Sequence, residues 1–554
     1  GRVVHVLDEW QIRLGEQYEK LLQWALSHRV SVMVVSALLL IGALALIPLG
    51  LIGTEFMTDS DRGEFAVNLD MPLGTTTEKT DQAVHQVEAL VKALPEVERY
   101  LSTSGRQESQ WKNSDQSNLG QVQVKLVDKR SRNRSTSQIM IALKEEASKI
   151  PGLKTSFHTI SMWGAANMAP LAIEIIGQDL DQVVTYSEQV ADILARAKGT
   201  VDVTSSWEEG KPEVKIEVDR DKTARMGLTL AEVGMAVRTA LEGDISTKYQ
   251  EGDAEFDTRV VLNKESRTRA QDVGSITLLN HFGQPVRLSQ VANIYYGLGP
   301  SQIQRKDRER LITVAANLSG EVPLGLVTQE AEAMINARGI PPGIRVFFGG
   351  DTENMRDMFS DMTIALSLAV LFVFIIMVSL FESYVHPFTI MFSLPLALVG
   401  ALGGLAVSGK TLSMFTMIGI IMLMGLVTKN AILLVDFTNT LRARGLAMHE
   451  ALLQAGKTRL RPIMMTTATM VFGMMPLAAA LGAGSEMRQG MGIVVVCGLI
   501  SSTLLTLVLI PVIYTYVDGL RVKLPVLFKR VAWAARIPWK GRPASVEAQQ
   551  QAEA

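Results

Sequence analysis

A single cysteine, Cys497, stands in the whole chain, and it lies inside an apolar run. Disulfides and a cysteine-built metal cluster are thereby excluded, and the redox compartment cannot be read. No glycine-rich phosphate loop of the Walker type occurs, which argues against ATP hydrolysis as the chain's own energy source. His158, His281, His386 and His449 are scattered without metal-ligand spacing. Neither a catalytic centre nor a metal site nor a bound cofactor is therefore expected. The net charge of −2 offers no basic surface for nucleic acid. The first residue is Gly1, not methionine, and the opening VVHVLDEWQIRLGEQYEKLLQWAL lacks the layout of a signal peptide. A processed or cut start is expected.

What the chain has in abundance is apolar surface. Of its 554 residues, 47% are hydrophobic, too many for an ordinary soluble protein and too long for one domain. Six apolar runs read as membrane spans: Val30–Ile52, Ile364–Phe381, Pro387–Val407, Leu412–Val435, Pro462–Leu481 and Met491–Tyr516. The first is separated from the other five by a polar region of about 300 residues. Residues 1–27 carry Val6, Trp10, Leu14, Tyr18, Leu21 and Leu22 at helical spacing. That pattern fits a helix lying on the membrane surface, and equally one packed on another protein domain. Arg442, Arg444, Lys457, Arg459 and Arg461 flank one short loop, and Arg521, Lys523, Lys529 and Arg530 follow the last span. The loops on the other side carry little positive charge. Both termini are therefore expected in the cytoplasm, and the large loop outside it.

Period-two and period-3.6 patterns order that loop. Glu64–Asp70 reads as strand, Glu78–Leu94 as helix and Val97–Thr103 as strand. The sequence repeats with Gln121–Val127, Ser137–Lys149 and Leu153–His158. A further unit, Leu171–Ile176, Gln182–Ala197 and Thr200–Ser206, finds its complement in Leu311–Leu318, Leu324–Ala337 and Ile344–Phe348. The insertion between them has strands Glu213–Val218 and Phe256–Leu262 and helix Leu230–Leu241. The predicted fold is a membrane α-helical bundle of six spans, one plus five, with a large extracytoplasmic α+β region of ferredoxin-like βαβ subdomains. The tail after Lys540 is polar and rich in small residues, a composition typical of disorder.

Lys429 is the sharpest chemical signal. It lies within the fourth run, and a lysine in hydrocarbon costs about 2.5–3.5 kcal/mol even on insertion scales. Asp436 is seven residues along the same helix, roughly 10 Å away. No Asp or Glu lies deep in any other run, so the counter-charge is expected on a helix absent from this chain. As a switch, the lysine would let go of a membrane carboxylate when that carboxylate takes a proton. As a structural residue it would snorkel to the interface. Lacking an ATP motif but holding a membrane charge, the chain points to an ion gradient. Thr466 and Thr467, in the fifth run, can bond across helices or to their own backbone. Gly400 and Gly404 form a small-xxx-small pair suited to close helix packing.

GLVTKNAILLVDF (Gly425–Phe437), RLRPIMMTTATMVFGMMPLA (Arg459–Ala478) and GAGSEMRQGMG (Gly482–Gly492) closely resemble the last helices of resistance–nodulation–division (RND) efflux permeases. TEFMTDSDRGEF (Thr54–Phe65) and GGDTENMRDMF (Gly349–Phe359) resemble the two ends of the family's second large loop. The resemblance covers essentially the whole chain, but only the C-terminal of the family's two repeats. Drug-exporting members fit better than heavy-metal members, whose corresponding helix usually lacks the KNAIL pattern. The resemblance implies a connecting helix at 1–27, a span at 28–53, a first porter subdomain at 54–169 and a second at 170–210 with 305–350. It implies a docking domain at 211–304, the five-span bundle at 358–518 and a cytoplasmic tail at 519–554. It places Lys429, Arg459 and Thr466 at the family's proton-relay positions, opposite aspartates of the N-terminal repeat. It implies a homotrimer in the inner membrane, a proton gradient in place of a cofactor, and a periplasmic adaptor and outer-membrane channel where two membranes exist.

Tyr100, Trp111, Met162 and Trp163 are candidate substrate contacts, with Met168 near them. The matching stretch in drug exporters is often rich in phenylalanine. Here it has none, which narrows the expected range of hydrophobic cargo. The expected function is export of amphiphilic small molecules or drugs by the C-terminal half of a proton-driven permease. The alternatives are an accessory half-permease serving protein secretion or lipid traffic, and a metal-ion exporter.

Overall fold

The computed structural model describes residues 2–534 apart from 59–60, 109–112, 161–168, 208–209, 268, 300–302, 321 and 483. Side chains of the first helix are described from residue 13 and those of the last helix to residue 519. Val6, Trp10 and the tail after Lys540 therefore lie outside the described side chains or residues.

The chain opens with α1 (Arg2–Ser27) and α2 (Arg29–Ala45), bent by 99° at their junction. Of the alternatives for α1, the structure shows packing, and against this chain's own bundle. Tyr18, Leu22, Ala25 and Leu26 are buried in one apolar cluster with residues of the last three helices. The Tyr18 hydroxyl donates to the Leu507 carbonyl at 2.9 Å. The first expected span is helical only to Ala45, because Pro48 and Gly50 follow and the chain turns there.

A first α/β unit follows: β1 (Glu64–Asp70), α3 (Thr77–Lys92), β2 (Val97–Glu108), β3 (Asn113–Leu126), α4 (Thr136–Ala147) and β4 (Lys154–Thr159). Its sheet is antiparallel with order β2-β3-β1-β4. Alternation along β1 sends Phe65, Val67 and Leu69 into the core beneath α3 and α4. Asn68 belongs to the opposite face. A second unit comprises β5 (Leu171–Gly177), α5 (Leu180–Arg196) and β6 (Thr200–Ser205), completed much later in the chain.

The insertion between them holds β7 (Lys211–Val218), α6 (Arg220–Arg225), α7 (Leu230–Leu241), β8 (Asp244–Glu251) and β9 (Ala254–Val260). It continues through α8 (Ala270–Gly274), β10 (Thr277–Leu279), β11 (Pro285–Arg287), α9 (Leu288–Val291) and β12 (Ala292–Gly299). β7 pairs with β12, closing the insertion at its base. The sequence pattern missed β8 and β10 to β12, which are short or exposed and lack a clear apolar alternation. The second unit then closes with β13 (Gln304–Lys306), β14 (Glu309–Leu318), α10 (Leu324–Arg338) and β15 (Ile344–Gly349). Strand β5 lies between β14 and β15, and β6 and β13 pair along the other edge of β14.

The bundle contains α11 (Asp351–Phe381), α12 (Val385–Met391), α13 (Ser393–Ser408), α14 (Met414–Ala443), α15 (Met448–Ala478) and α16 (Glu486–Ala534). Among the described residues, four helical stretches are long and apolar enough to cross a membrane: Asp351–Phe381, Val385–Ser408, Met414–Ala443 and Glu486–Gly519. The bent pair at the start makes a fifth if counted as one span. The sixth expected span lies in α15. Its apolar half is diluted by Thr466, Thr467, Thr469 and Pro476, and its first half carries Lys457, Arg459 and Arg461.

The expected small-residue contact is present. A Cβ on Gly400 would stand 2.3 Å from the Ser501 Cβ, and one on Gly404 2.6 Å from the Cys497 Cβ. Only glycine lets α13 and α16 approach this closely.

Candidate functional site

The site is built on α14. A run of apolar residues after Ser413 forms the helix, and the Ser413 amide donates to the Thr416 hydroxyl at 2.6 Å in its first turn. Leu423, Met424, Val427, Ala431 and Leu434 are buried against the bundle. Ile418, Met422, Gly425, Lys429 and Asp436 are exposed, at the spacing of one helical stripe. Lys429 therefore projects from a face that no helix among the described residues covers. Among the described residues it forms neither a hydrogen bond nor an ion pair. Asp436 lies on the same stripe two turns away, so the structure does not bring it to the lysine as a partner.

One residue further, the chemistry changes. Asn430 is 2% exposed, and its side-chain amide donates to the Thr467 hydroxyl of α15 at 3.3 Å and the Thr503 hydroxyl of α16 at 3.1 Å. Thr467 and Thr503 are themselves 3.1 Å apart. Three helices thus meet at one neutral polar node. Interhelical hydrogen bonds of this kind are worth about 0.6 kcal/mol on average, and up to about 1.7. Thr467 takes the cross-helix role, whereas Thr466 donates to the Ile463 carbonyl of its own helix at 3.0 Å. Sequence reasoning did not single out Asn430 or Thr503. The available signals were an asparagine inside an apolar run and the SSTLLT stretch of the last span.

The node also sets levels along the antiparallel pair α14 and α15. Thr467 lies level with Asn430, which puts Thr466 near the level of Lys429. Arg459 sits lower, with its guanidinium over the Phe437 ring at 4.4 Å. Phe437 is eight residues beyond Lys429, about 12 Å along the axis. The three sequence candidates therefore form a ladder, with Arg459 two turns toward the basic loop. The Nε of Arg459 is buried and lacks a hydrogen-bond partner. Arg442, expected as a simple flanking charge, is instead held by Asp518 at 2.8 Å and by the Tyr514 hydroxyl at 3.0 Å.

The turn before α14 is tied to the α/β region. The Leu412 amide donates to the Gly53 carbonyl at 2.7 Å, and the Glu55 amide to the Leu412 carbonyl at 3.1 Å. Thr411 donates to the Glu55 carboxylate at 2.9 Å. The Gly325 amide at the start of α10 donates to the Thr54 carbonyl at 2.9 Å. Lys129, from the first α/β unit, pairs with Glu486 at the start of α16 at 2.6 Å. A displacement of α14 or α16 can thus reach both α/β units through short polar links.

Of the substrate candidates, Trp111, Met162 and Trp163, together with Met168, lie outside the described residues. Tyr100 is on β2 opposite Val124, on the helix-covered side of the sheet at its edge. The other face carries Asn68, Gln121 and Gln123. Gln121 donates to Asn68 at 2.8 Å, and Gln123 to Gln121 at 3.1 Å. His158 is opposite Ala66 on that face. Burial pushes its imidazole down to about 4, so it is neutral at pH 7. A separate cavity of about 350 Å³ opens on the second unit, lined by Glu174, Lys306, Glu332, Phe348, Arg356 and neighbours.

A family model described as AcrB/AcrD/AcrF matches residues 6–518. Similar curated proteins include the swarming motility protein SwrC of Bacillus subtilis, 28% identical over 93% of this chain and 48% of its own length. The cobalt-zinc-cadmium resistance protein CzcA of Cupriavidus metallidurans is 28% identical over 90% and 48%. The multidrug resistance protein MdtC of Yersinia pestis is 30% identical over 92% and 49%. A solved heavy metal efflux pump superposes with a TM-score of 0.80 at 27% identity, covering 92% of this chain and 53% of that one. The chain spans about half the length of the relatives it matches.

Proposed function

Because this chain belongs to the AcrB/AcrD/AcrF family of RND efflux permeases, we propose that it forms the C-terminal repeat of a proton-driven exporter. Lys429 on the uncovered stripe of α14 carries this reading. A charge held in the membrane without a partner in its own chain fits an interface with membrane carboxylates, the aspartates expected of an N-terminal repeat. Protonation of those carboxylates releases Lys429, and α14 passes the movement through the turn at Thr411–Leu412 to the extracytoplasmic units. Thr466, about 3 Å along the axis from the level of the lysine, and Arg459, two turns away, complete the proposed relay. The assembly would be a trimer of six-span repeats in the inner membrane, with both termini cytoplasmic. Its ferredoxin-like porter subdomains would face the periplasm, with an adaptor and outer-membrane channel where the cell has two membranes.

Amphiphilic organic compounds are the proposed cargo, with a narrower apolar range than phenylalanine-lined exporters. The absence of phenylalanine between residues 100 and 126 supports that narrowing. Metal-ion export is the second reading, favoured by the likeness to a cobalt-zinc-cadmium resistance protein and to a heavy metal efflux pump.

One experiment addresses both. The native permease assembly carrying this chain is placed in inverted vesicles energised with a proton gradient, and uptake of ethidium and of Zn²⁺ is followed. Lys429→Ala is expected to abolish uptake while expression and assembly stay normal. Full uptake by that variant would remove the relay assignment, and the cargo that moves decides between the two readings.

A further inference from the structure

We infer that Asn430 is a positioning residue for the proposed coupling step, fixing the rotation of α14 that presents Lys429 to the uncovered face. This inference rests on the proton-relay reading above.

Three observations lead to it. Asn430 is the immediate neighbour of Lys429, so the helix rotation that places one places the other, about 100° apart. It holds α14 to both α15 and α16 at the level of the lysine, through Thr467 and Thr503. Its Oδ1 is buried and has no hydrogen-bond partner among the described residues. A leucine here would bury apolar surface without stranding a carbonyl in a region where water is scarce, so packing alone gives no reason for an amide. What an amide adds over leucine is direction. It can satisfy two hydroxyls on two helices at one rotation of α14, and a slip of that helix breaks both bonds.

The node contains no titratable group. It therefore keeps its bonds whether the proposed carboxylates are charged or protonated, and serves as a pivot beside the charge that responds. Loosening a pivot separates proton movement from cargo movement. Simple loss of helix packing lowers the two together.

The test uses the native assembly carrying this chain in proteoliposomes with an imposed pH gradient. Proton entry is read with an internal pH dye, and ethidium or Zn²⁺ transport is read in parallel. Wild type is compared with Asn430→Leu, which keeps the number and branching of side-chain heavy atoms and removes both bonds, with Thr503→Val, which removes one of the two Asn430 bonds and the Thr467–Thr503 contact, and with Lys429→Ala. For Asn430→Leu we expect cargo transport to fall roughly tenfold or more at unchanged KM. Proton entry should fall less, so that protons per cargo molecule rise several-fold. Thr503→Val should move the same ratio in the same direction by a smaller factor, and it serves if Asn430→Leu fails to assemble. The inference is overturned if both variants keep the wild-type ratio, whether their rates are intact or reduced in proportion. A wild type that moves neither cargo with the gradient, or a Lys429→Ala variant that pumps normally, overturns the relay reading itself and this inference with it. An inactive Lys429→Ala beside an unaltered Asn430→Leu overturns the pivot alone.

Discussion

The first α/β unit and the helix bundle treat a cation in opposite ways. Arg132, between β3 and α4, has a side chain only 1% exposed, and it pairs with Asp61 and donates to the Arg134 carbonyl at 2.7 Å. Thr136 also donates to Asp61. Burial by itself would raise the Asp61 carboxyl, but the hydrogen bonds from Thr136 and Arg132 and the guanidinium charge outweigh it and hold the group below its ordinary value. In the bundle, Lys429 has no such partner among the described residues, while the neutral Asn430 beside it is tied to two other helices. A buried charge with its counter-ion in the same chain is a structural part. A lysine on an apolar helix without one is the contrasting case.

The comparison predicts different outcomes for the two cations. Removing Arg132 by Arg132→Ala strands Asp61 and should destabilise the first unit by roughly 3–5 kcal/mol. Limited proteolysis or hydrogen exchange localised to residues 61–159 would read this, and unchanged protection there would break the contrast. Lys429→Met in this chain, held in lipid nanodiscs, should have the opposite sign. It removes an unpaired membrane charge and should stabilise the bundle by up to roughly 2.5–3.5 kcal/mol. A lower melting temperature would mean that Lys429 has a partner within the chain.

His158 extends the contrast to a group buried neutral. The unfolded chain takes up its proton below about 6.5, but the folded one only near 4. Its contribution is therefore full above pH 6.5 and is lost as the pH falls through 4. At about 1.4 kcal/mol per pH unit the complete loss is about 3 kcal/mol. Unfolding of the first α/β unit followed from pH 7 to pH 4 should show this slope, and His158→Gln should flatten it. The smallest effect is steric. Gly400→Ala sets a methyl 2.4 Å from the Cys497 carbonyl oxygen, a backbone atom that cannot turn aside. The cost of such overpacking is typically about 1–3 kcal/mol, visible as a lower melting temperature with the α/β units unaffected.

Much of the secondary structure was legible because its signal is local. The helix expected at Glu78–Leu94 is found at Thr77–Lys92, and the strand at Leu171–Ile176 runs to Gly177. The hairpin β8–β9 was only half seen, because every residue of both strands is exposed and no apolar face marks them. At the candidate site, Lys429 could be read from its chemistry alone, since a cation in an apolar run is conspicuous anywhere. Asn430 could not, because an asparagine acquires meaning only from the helices that face it. The choice between Thr466 and Thr467 was equally closed to inspection. The two are adjacent on α15, and which one crosses to α14 depends on the rotation of that helix.

The amino-acid sequence by itself determined that this chain enters a membrane, that strands and helices alternate in its large loop, and that one lysine lies among apolar residues. These follow from composition and from periods of two and 3.6, which are properties of neighbouring residues. Tertiary structure alone decided that α1 packs on α15 and α16, that Arg459 lies two turns from Lys429 over Phe437, and that Asn430 joins three helices. Those facts depend on the rotation and register of helices far apart in the chain. Packing sets these once all the helices are in place, and no short stretch of sequence encodes them.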